Sequence, residues 1–352
     1  MKKVVFIGHI RMNTTPMDGE TVKNQLLIKE LGEYCKVLTL DFFQRDILNR
    51  LSLYIRAFFY FFIYRNSPFI FSTTASNFYP IIQICKFLRI KRNMIHWVIG
   101  GEFDKLVLEG KYNIDTLNYM SQNLVQSHKM VDSLKSIGVT NANYVSNFKK
   151  ITFHPCIEDV LKLRQELYKK KFVFMSKILR TKGIEYVLDA VEVLNSLGYK
   201  DKFIVDFYGP SHPNYMEEFL RRVSMIENVE YKGVLQLNTD KGYEVLSGYD
   251  AFLFPTYHPS EGIAGVVLDA YVAGLPVIAS DWGHNTEYIF DNKTGIIIPS
   301  HNVDALKDIM EKIMLNQIDL NRLSINSFNE SKKYDVKNVI TETFLQDIGV
   351  LN

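Results

Sequence analysis

Short apolar runs alternate with helix-like stretches along this chain, and that rhythm admits few architectures. Runs at residues 4–8, 37–40, 69–72 and 94–99 each suit one buried strand, with weaker ones at 123–127 and 142–145. Between the first two, residues 19–31 carry Val22, Leu26, Leu27 and Leu31 at helical spacing. A second series opens at 172–176 and continues at 203–208, 229–231, 251–254, 277–279 and 295–298, with a strongly periodic helix over 183–197. Apolar strands that alternate with helices build parallel sheets covered on both faces. The expectation is an α/β protein with two Rossmann-like, doubly wound domains that face each other across a cleft. A length of 352 residues suits two domains. Residues 147–171, with Pro155 and a lysine-rich polar helix, mark the junction. The expected domains are 1–160 and 161–335, with the amphipathic residues 336–352 forming a terminal helix that packs back on the first.

Composition excludes several classes. A net charge of +2 makes no case for nucleic acid, and Cys35, Cys85 and Cys156 lack metal-ligand spacing, which fits a reducing compartment. The apolar run after Lys2 and Lys3 is short and reads as a strand, not a leader. The richest apolar run, 57–64, falls far below the ~20 residues that cross a bilayer.

Charge is nonetheless uneven. No Asp or Glu occurs from Ile47 through Gly101, while Arg50, Arg56, Arg65, Lys86, Arg89, Lys91 and Arg92 do, together with FFYFFIY at 58–64. This stretch reads in two ways: a basic aromatic surface for an anionic membrane or lipid diphosphate, or a core helix flanked by solvated arginines. Arg56 falls away from Arg50 and Arg65 around a helix, so these three make no single polar face.

The richest chemistry lies at 261–276, EGIAGVVLDAYVAGLP. Glu261 and Asp269 stand a little over two helical turns apart. Gly262 and Gly265 permit close backbone approach, and the free amides of a helix starting here favour negative charge. A phosphate-bearing ligand whose hydroxyls meet carboxylates, such as a nucleotide sugar, suits that pattern. Lys177 and Lys182 follow the first strand of the second series and could neutralise a diphosphate, although two solvated surface lysines fit the spacing better. Tyr208-Gly209-Pro210 makes a turn after another strand, and Trp282 to Glu287 follow a third. His258 and His284 sit in loops, where histidines are often merely solvated.

Taken in order, SKILRTKG at 176–183, YDAFLFPT at 249–256, EGIAGVVLDAYVAGLPV at 261–277 and GHNTE at 283–287 resemble the second domain of the family-four retaining glycosyltransferases of GT-B fold. Those enzymes elongate bacterial polysaccharides and glycolipids. The first domain is similar only in outline, through Asp18-Gly19-Glu20 and a strand ending in Gly100-Gly101. The resemblance implies that Glu261 contacts the transferring sugar, that Asp269 grips the ribose, and that Lys182 and Lys177 meet the diphosphate. It further implies that the backbone of Gly262, Ile263, Ala264 and Gly265 approaches the donor, with Gly19 reaching the diphosphate from the first domain. Gly209 joins the expected donor site through its cleft turn. Asp for Glu at 269 shortens the reach by one methylene, and Lys for Arg at 177 loses the bidentate fork.

The family often has a functional histidine in its first domain. His96 lies inside the 94–99 run, where a packed core histidine is the competing reading. Gly101 and Glu102 are better placed for an acceptor. No Asp-x-Asp occurs, so the donor diphosphate is expected to be held without a metal and without any cofactor beyond the donor itself.

The function so implied is retaining, metal-independent transfer of a sugar from a nucleoside-diphosphate sugar to a lipid-linked glycan in surface polysaccharide biosynthesis. The expected place is the cytoplasm, peripheral at the inner face of the membrane. The alternatives are a nucleotide-sugar hydrolase or epimerase of the same fold, and a non-catalytic glycan or nucleotide binder. A nicotinamide enzyme is disfavoured because the first strand ends GHIRMNTT rather than in G-x-G-x-x-G.

Overall fold

The computed structural model describes residues 2–11, 19–42, 47–165 and 168–351. Asp18 and the side chain of Arg50 lie outside the described residues. The chain forms two compact units, Met1–Lys150 with Tyr334–Asn352, and Ile151–Lys333.

In the first unit β1 (Lys3–Gly8), β2 (Lys36–Asp41), β3 (Phe69–Ser72), β4 (Met94–Trp97), β5 (Gln122–Val125) and β6 (Ala142–Tyr144) form one parallel sheet, in the order β2-β1-β3-β4-β5-β6. Side chains alternate across a strand, and β1 shows why its sequence is apolar throughout. Val4 and Phe6 pack on one face with Leu27 and Leu31 of the helix Gly19–Tyr34. Val5 and Ile7 pack on the other with Leu53, Ala57 and Phe61 of the helix Ile47–Ile63 and Phe78 of the helix Ala75–Phe87.

The tail is two short helices, Val336–Val339 and Glu342–Asp347, where one was expected. The side chains of Asp335 and Thr341 each accept from a backbone amide of the turn that follows, so each starts a helix of its own. Ile340, Leu345, Ile348 and Val350 are buried in the core beneath the helix Gly19–Tyr34.

In the second unit β7 (Lys170–Met175), β8 (Phe203–Tyr208), β9 (Val229–Tyr231), β10 (Ala251–Phe254), β11 (Val277–Ser280) and β12 (Gly295–Ile298) are parallel, in the order β12-β11-β10-β7-β8-β9. The chain runs outward from β7 to β9, then returns to the other side of β7 as β10. Phe172 accordingly pairs with Val205 on one side and Ala251 on the other. The strand order reverses there, and in open α/β sheets ligands bind beyond the carboxyl ends of the strands at such a switch point.

The polar helix expected at the junction, Ile157–Gln165, belongs to this unit. Its Arg164 is buried and donates to the carbonyls of Ser247, Ala273 and Gly274 and to the Ser324 hydroxyl, at 2.8–3.1 Å.

Candidate functional site

Three loops at the carboxyl edge of the second sheet meet around Glu261. The loop after β7 passes Ser176 and Lys177, turns through a 3₁₀ segment Arg180–Lys182, and enters the helix Ile184–Ser196 at Gly183. Gly183 has φ +85°, and a Cβ there would lie 2.0 Å from the carbonyl oxygen of Pro255. Only glycine lets this loop lie against the one that leaves β10. The Tyr257 amide donates to the Thr181 carbonyl at 2.8 Å and fixes the contact.

The two loops bring opposite charges together. Lys182 Nζ stands 2.7 Å from Glu261 Oε2, and Thr256 Oγ1 donates to the same oxygen at 2.7 Å. The Glu261 side chain is 8 % exposed and that of Lys182 14 %, so the pair is withdrawn from water. A carboxylate so placed is tolerated because it is paired and hydrogen-bonded.

The loop after β11 supports this arrangement. Gly283, at φ +57°, lies so close that a Cβ would come within 2.9 Å of the Glu261 carbonyl. Trp282 Nε1 donates to the His258 carbonyl at 2.8 Å. Asn285 donates to the Ser280 carbonyl at 2.9 Å and accepts from the Tyr288 hydroxyl at 3.1 Å.

That hydroxyl in turn accepts from the Ala264 amide at 3.0 Å. Within residues 262–265, whose backbone is expected to approach a donor, the Ala264 amide is thus already engaged and the Ile263 side chain is buried. Among the described residues no acceptor takes the amides of Gly262, Gly265 or Val266, the latter two in the first turn of the helix Gly265–Val272. These donors, beside a buried lysine, make an anion-binding corner.

Asp269 lies in the next turn of the same helix and is buried. Its Oδ1 accepts from the Tyr243 hydroxyl at 2.7 Å, and Tyr243 stacks on Phe153 with centroids 5.7 Å apart. Burial, with the neighbouring carboxylate, holds the Tyr243 hydroxyl well above its ordinary pKa, so it acts as a donor.

Lys177 is exposed, and no described ion pair joins it to Lys182 and Glu261. Gly209 has a reason of its own: at φ +149°, a Cβ would lie 1.7 Å from the Ser176 carbonyl, so it seats the β8 loop on the β7 loop. The two loop histidines are not merely solvated. His258 Nδ1 is 2.9 Å from Thr181 Oγ1, and His284 Nδ1 is 2.9 Å from Glu287 Oε1.

In the first unit His96 is fully buried in β4, against the reading that puts it at an open site. Its ring packs between Phe78 and Phe103, with Nδ1 3.2 Å from Asn123 Oδ1. Burial lowers its pKa to about 4, so the ring is neutral. Gly101 and Glu102 follow Gly100, at φ +97°, just past the end of β4. Gly19 is the first residue of its helix, and a Cβ there would meet nothing within 4 Å among the described residues. Neither crowding nor a positive φ requires glycine at that position.

Thr256, Tyr288 and Tyr243 are parts of the site that sequence reasoning missed. Thr256 lies inside a recognised segment without a role, and the tyrosines come from helices whose side chains carry no local signal. Among the described residues no group of three His, Cys, Asp or Glu side chains is gathered as metal ligands would be.

Residues 159–330 match the family described as Glycosyl transferases group 1. The chain is 21 % identical over 239 residues to poly(ribitol-phosphate) alpha-N-acetylglucosaminyltransferase of Staphylococcus aureus, covering 67 % of this chain and 44 % of that one. It is 27 % identical over 168 residues to 2-deoxystreptamine N-acetyl-D-glucosaminyltransferase of Niallia circulans, covering 47 % and 42 %. The matches thus span less than half the length of these curated relatives. Among solved structures, Anabaena HepE in complex with UDP and glucose superposes with a TM-score of 0.69 at 13 % identity, over 99 % of both chains. Sucrose-phosphate synthase from Thermosynechococcus elongatus gives 0.71 at 15 %, over 99 % and 98 %. At such identities the structural likeness establishes the fold, which is GT-B.

Proposed function

We propose that the chain, whose residues 159–330 match the Glycosyl transferases group 1 family within a GT-B fold, transfers a sugar from a nucleoside-diphosphate sugar to a glycan acceptor with retention. The observation that carries this reading is the buried Lys182–Glu261 pair at the switch point, beside the open amides of Gly262, Gly265 and Val266. Cation and amides suit a diphosphate, and the carboxylate suits sugar hydroxyls.

When the donor enters, Lys182 exchanges Glu261 for diphosphate oxygens and stabilises the charge that develops on the leaving nucleoside diphosphate. Glu261, still held by Thr256, orients the sugar. The departing phosphate oxygen takes the proton of the acceptor hydroxyl. Asp269, held by Tyr243, meets the ribose, and no metal is required. Retention rests on the family resemblance. HepE's complex with UDP and glucose favours a uridine diphosphate sugar as the first donor to assay. A lipid-linked acceptor would be met at the inner face of the bacterial membrane, in surface polysaccharide synthesis.

The test is turnover of a panel of nucleoside-diphosphate sugars with and without glycan acceptors. Acceptor-dependent release of the nucleoside diphosphate, lowered by orders of magnitude in Glu261→Ala, is expected. Release as fast without acceptor as with it would instead identify a hydrolase, and near-normal activity in the variant would remove Glu261 from the site.

A further inference from the structure

The helix Ile47–Ile63 is apolar on both sides. One side buries Leu53, Ala57 and Phe61 against the first sheet. The other turns Leu51, Ile55, Phe59, Phe62 and Ile63 outward, each 50–65 % exposed. At 100° per residue these five fall within an arc of about 120°. A surface helix ordinarily places polar residues there, and a contiguous apolar stripe marks an interaction surface. Phe87, 85 % exposed, and Leu88 lie at the carboxyl end of the helix Ala75–Phe87, which packs into the same core.

Cations frame this face. Arg56 is exposed at the edge of the arc, and Arg65 follows the helix. Arg92 Nε donates to the Phe61 carbonyl at 3.2 Å, which brings the segment 86–92, with Lys86, Arg89 and Lys91, to the carboxyl end of the helix. No Asp or Glu interrupts residues 47–101. From outside that stretch Asp115 comes within 3.9 Å of Lys86 and is itself 82 % exposed.

Exposed apolar side chains edged by cations match an anionic bilayer, with the rings at the acyl boundary and the cations at the headgroup phosphates. A second copy fits poorly, because a two-fold contact would set the same basic rim against itself. We propose that the helix Ile47–Ile63, with the 86–92 segment, is an interfacial docking face for anionic membrane. No described helix is long and apolar enough to cross a membrane, so this contact lies in the surface plane. It is independent of the reaction at Glu261, which belongs to the other unit.

The experiment is flotation with vesicles of mixed phosphatidylglycerol and phosphatidylcholine, and with phosphatidylcholine alone, at low and high salt. Retention on the anionic vesicles is expected. Arg56→Glu/Arg65→Glu/Arg89→Glu should weaken it roughly a hundredfold at low salt, since each basic residue near the surface contributes appreciably. Ile55→Ser/Phe59→Ser/Phe62→Ser should also abolish retention while leaving the melting temperature and donor turnover with a soluble acceptor unchanged, because these side chains are exposed and remote in sequence from the site. Three outcomes overturn the proposal: no retention of the native chain, equal retention of the serine variant, or self-association in sedimentation that the serine variant abolishes in the absence of lipid binding.

Discussion

A carboxylate as withdrawn from water as Glu261 needs partners for its oxygens, and here they are Lys182 and Thr256. Removing either ionic partner should therefore reveal different debts. Lys182→Met leaves a buried anion and is expected to lower unfolding free energy by about 3 kcal/mol as well as abolish turnover. Glu261→Gln keeps an acceptor for Thr256 and should lower kcat by orders of magnitude with a smaller loss in urea unfolding. If both variants unfold alike and both turn over donor, the pair has no catalytic part.

A second buried charge gives a prediction of opposite character. Lys23 is almost fully buried, has no hydrogen-bond partner for its ammonium among the described residues, and lies over the rings of Trp97 and Phe148. Burial lowers its pKa from 10.5 to about 7. Between those values the unfolded chain holds a proton that the folded protein releases, so stability rises with pH across that window, by up to ~1.4 kcal/mol per unit. Below about pH 7 both states are protonated and the cost of the buried charge is felt in full. Lys23→Met should be more stable at pH 7 and should flatten the rise, as read from urea midpoints compared between the two proteins. Equal slopes would show that the ammonium is solvated.

At the scale of elements, the loops around the site are held in place by close backbone approach. Gly183→Ala must place a methyl 2.0 Å from the Pro255 carbonyl oxygen at a φ of +85°, and Gly209→Ala one 1.7 Å from that of Ser176 at +149°. Each should cost more than the ~1 kcal/mol of a mild glycine-to-alanine conflict, and Gly183→Ala should also weaken donor binding by moving Lys182. Gly19→Ala, at the start of a helix where a Cβ meets no described atom within 4 Å, is the control and should change stability little. A Gly183→Ala protein with native unfolding midpoint would mean that the two loops can part without loss.

The strands were legible because parallel strands are buried on both faces and so read as unbroken apolar runs, as FVFM and AFLF do in β7 and β10. Glu261 and Lys182 were legible as polar residues placed just after such runs. Tyr288 and Tyr243 were not, since their partners come from other elements and a tyrosine's position in sequence says nothing of its hydroxyl. The tail read as one helix because its apolar spacing survives the break at Ile340, where only the cap Thr341 divides it. The helix Ile47–Ile63 stayed ambiguous for a physical reason. An apolar residue carries no mark of which side of the helix meets the core, and this helix has both kinds.

On the scale of the whole molecule, each sheet has one place where strand order reverses, and in the second the charged pair and the open amides lie there. A ligand that binds this folded corner and not the unfolded chain must raise the melting temperature by mass action, by about 2.7 kcal/mol of stability at a hundred times its dissociation constant. Uridine, guanosine and adenosine diphosphates, and their sugars, are the ligands to scan, with chelator present throughout. One nucleotide is expected to raise the melting temperature clearly, and chelator should leave that shift intact because lysine and amides supply the positive charge. Lys182→Met should lose the shift, whereas a substitution at exposed Lys177 should reduce it only slightly, since Lys177 is not joined to the pair. A shift that vanishes with chelator and returns with magnesium would show that a metal holds the diphosphate, and the metal-free assignment would then be wrong. No shift with any nucleotide would remove the corner as a donor site, however well its geometry suits one.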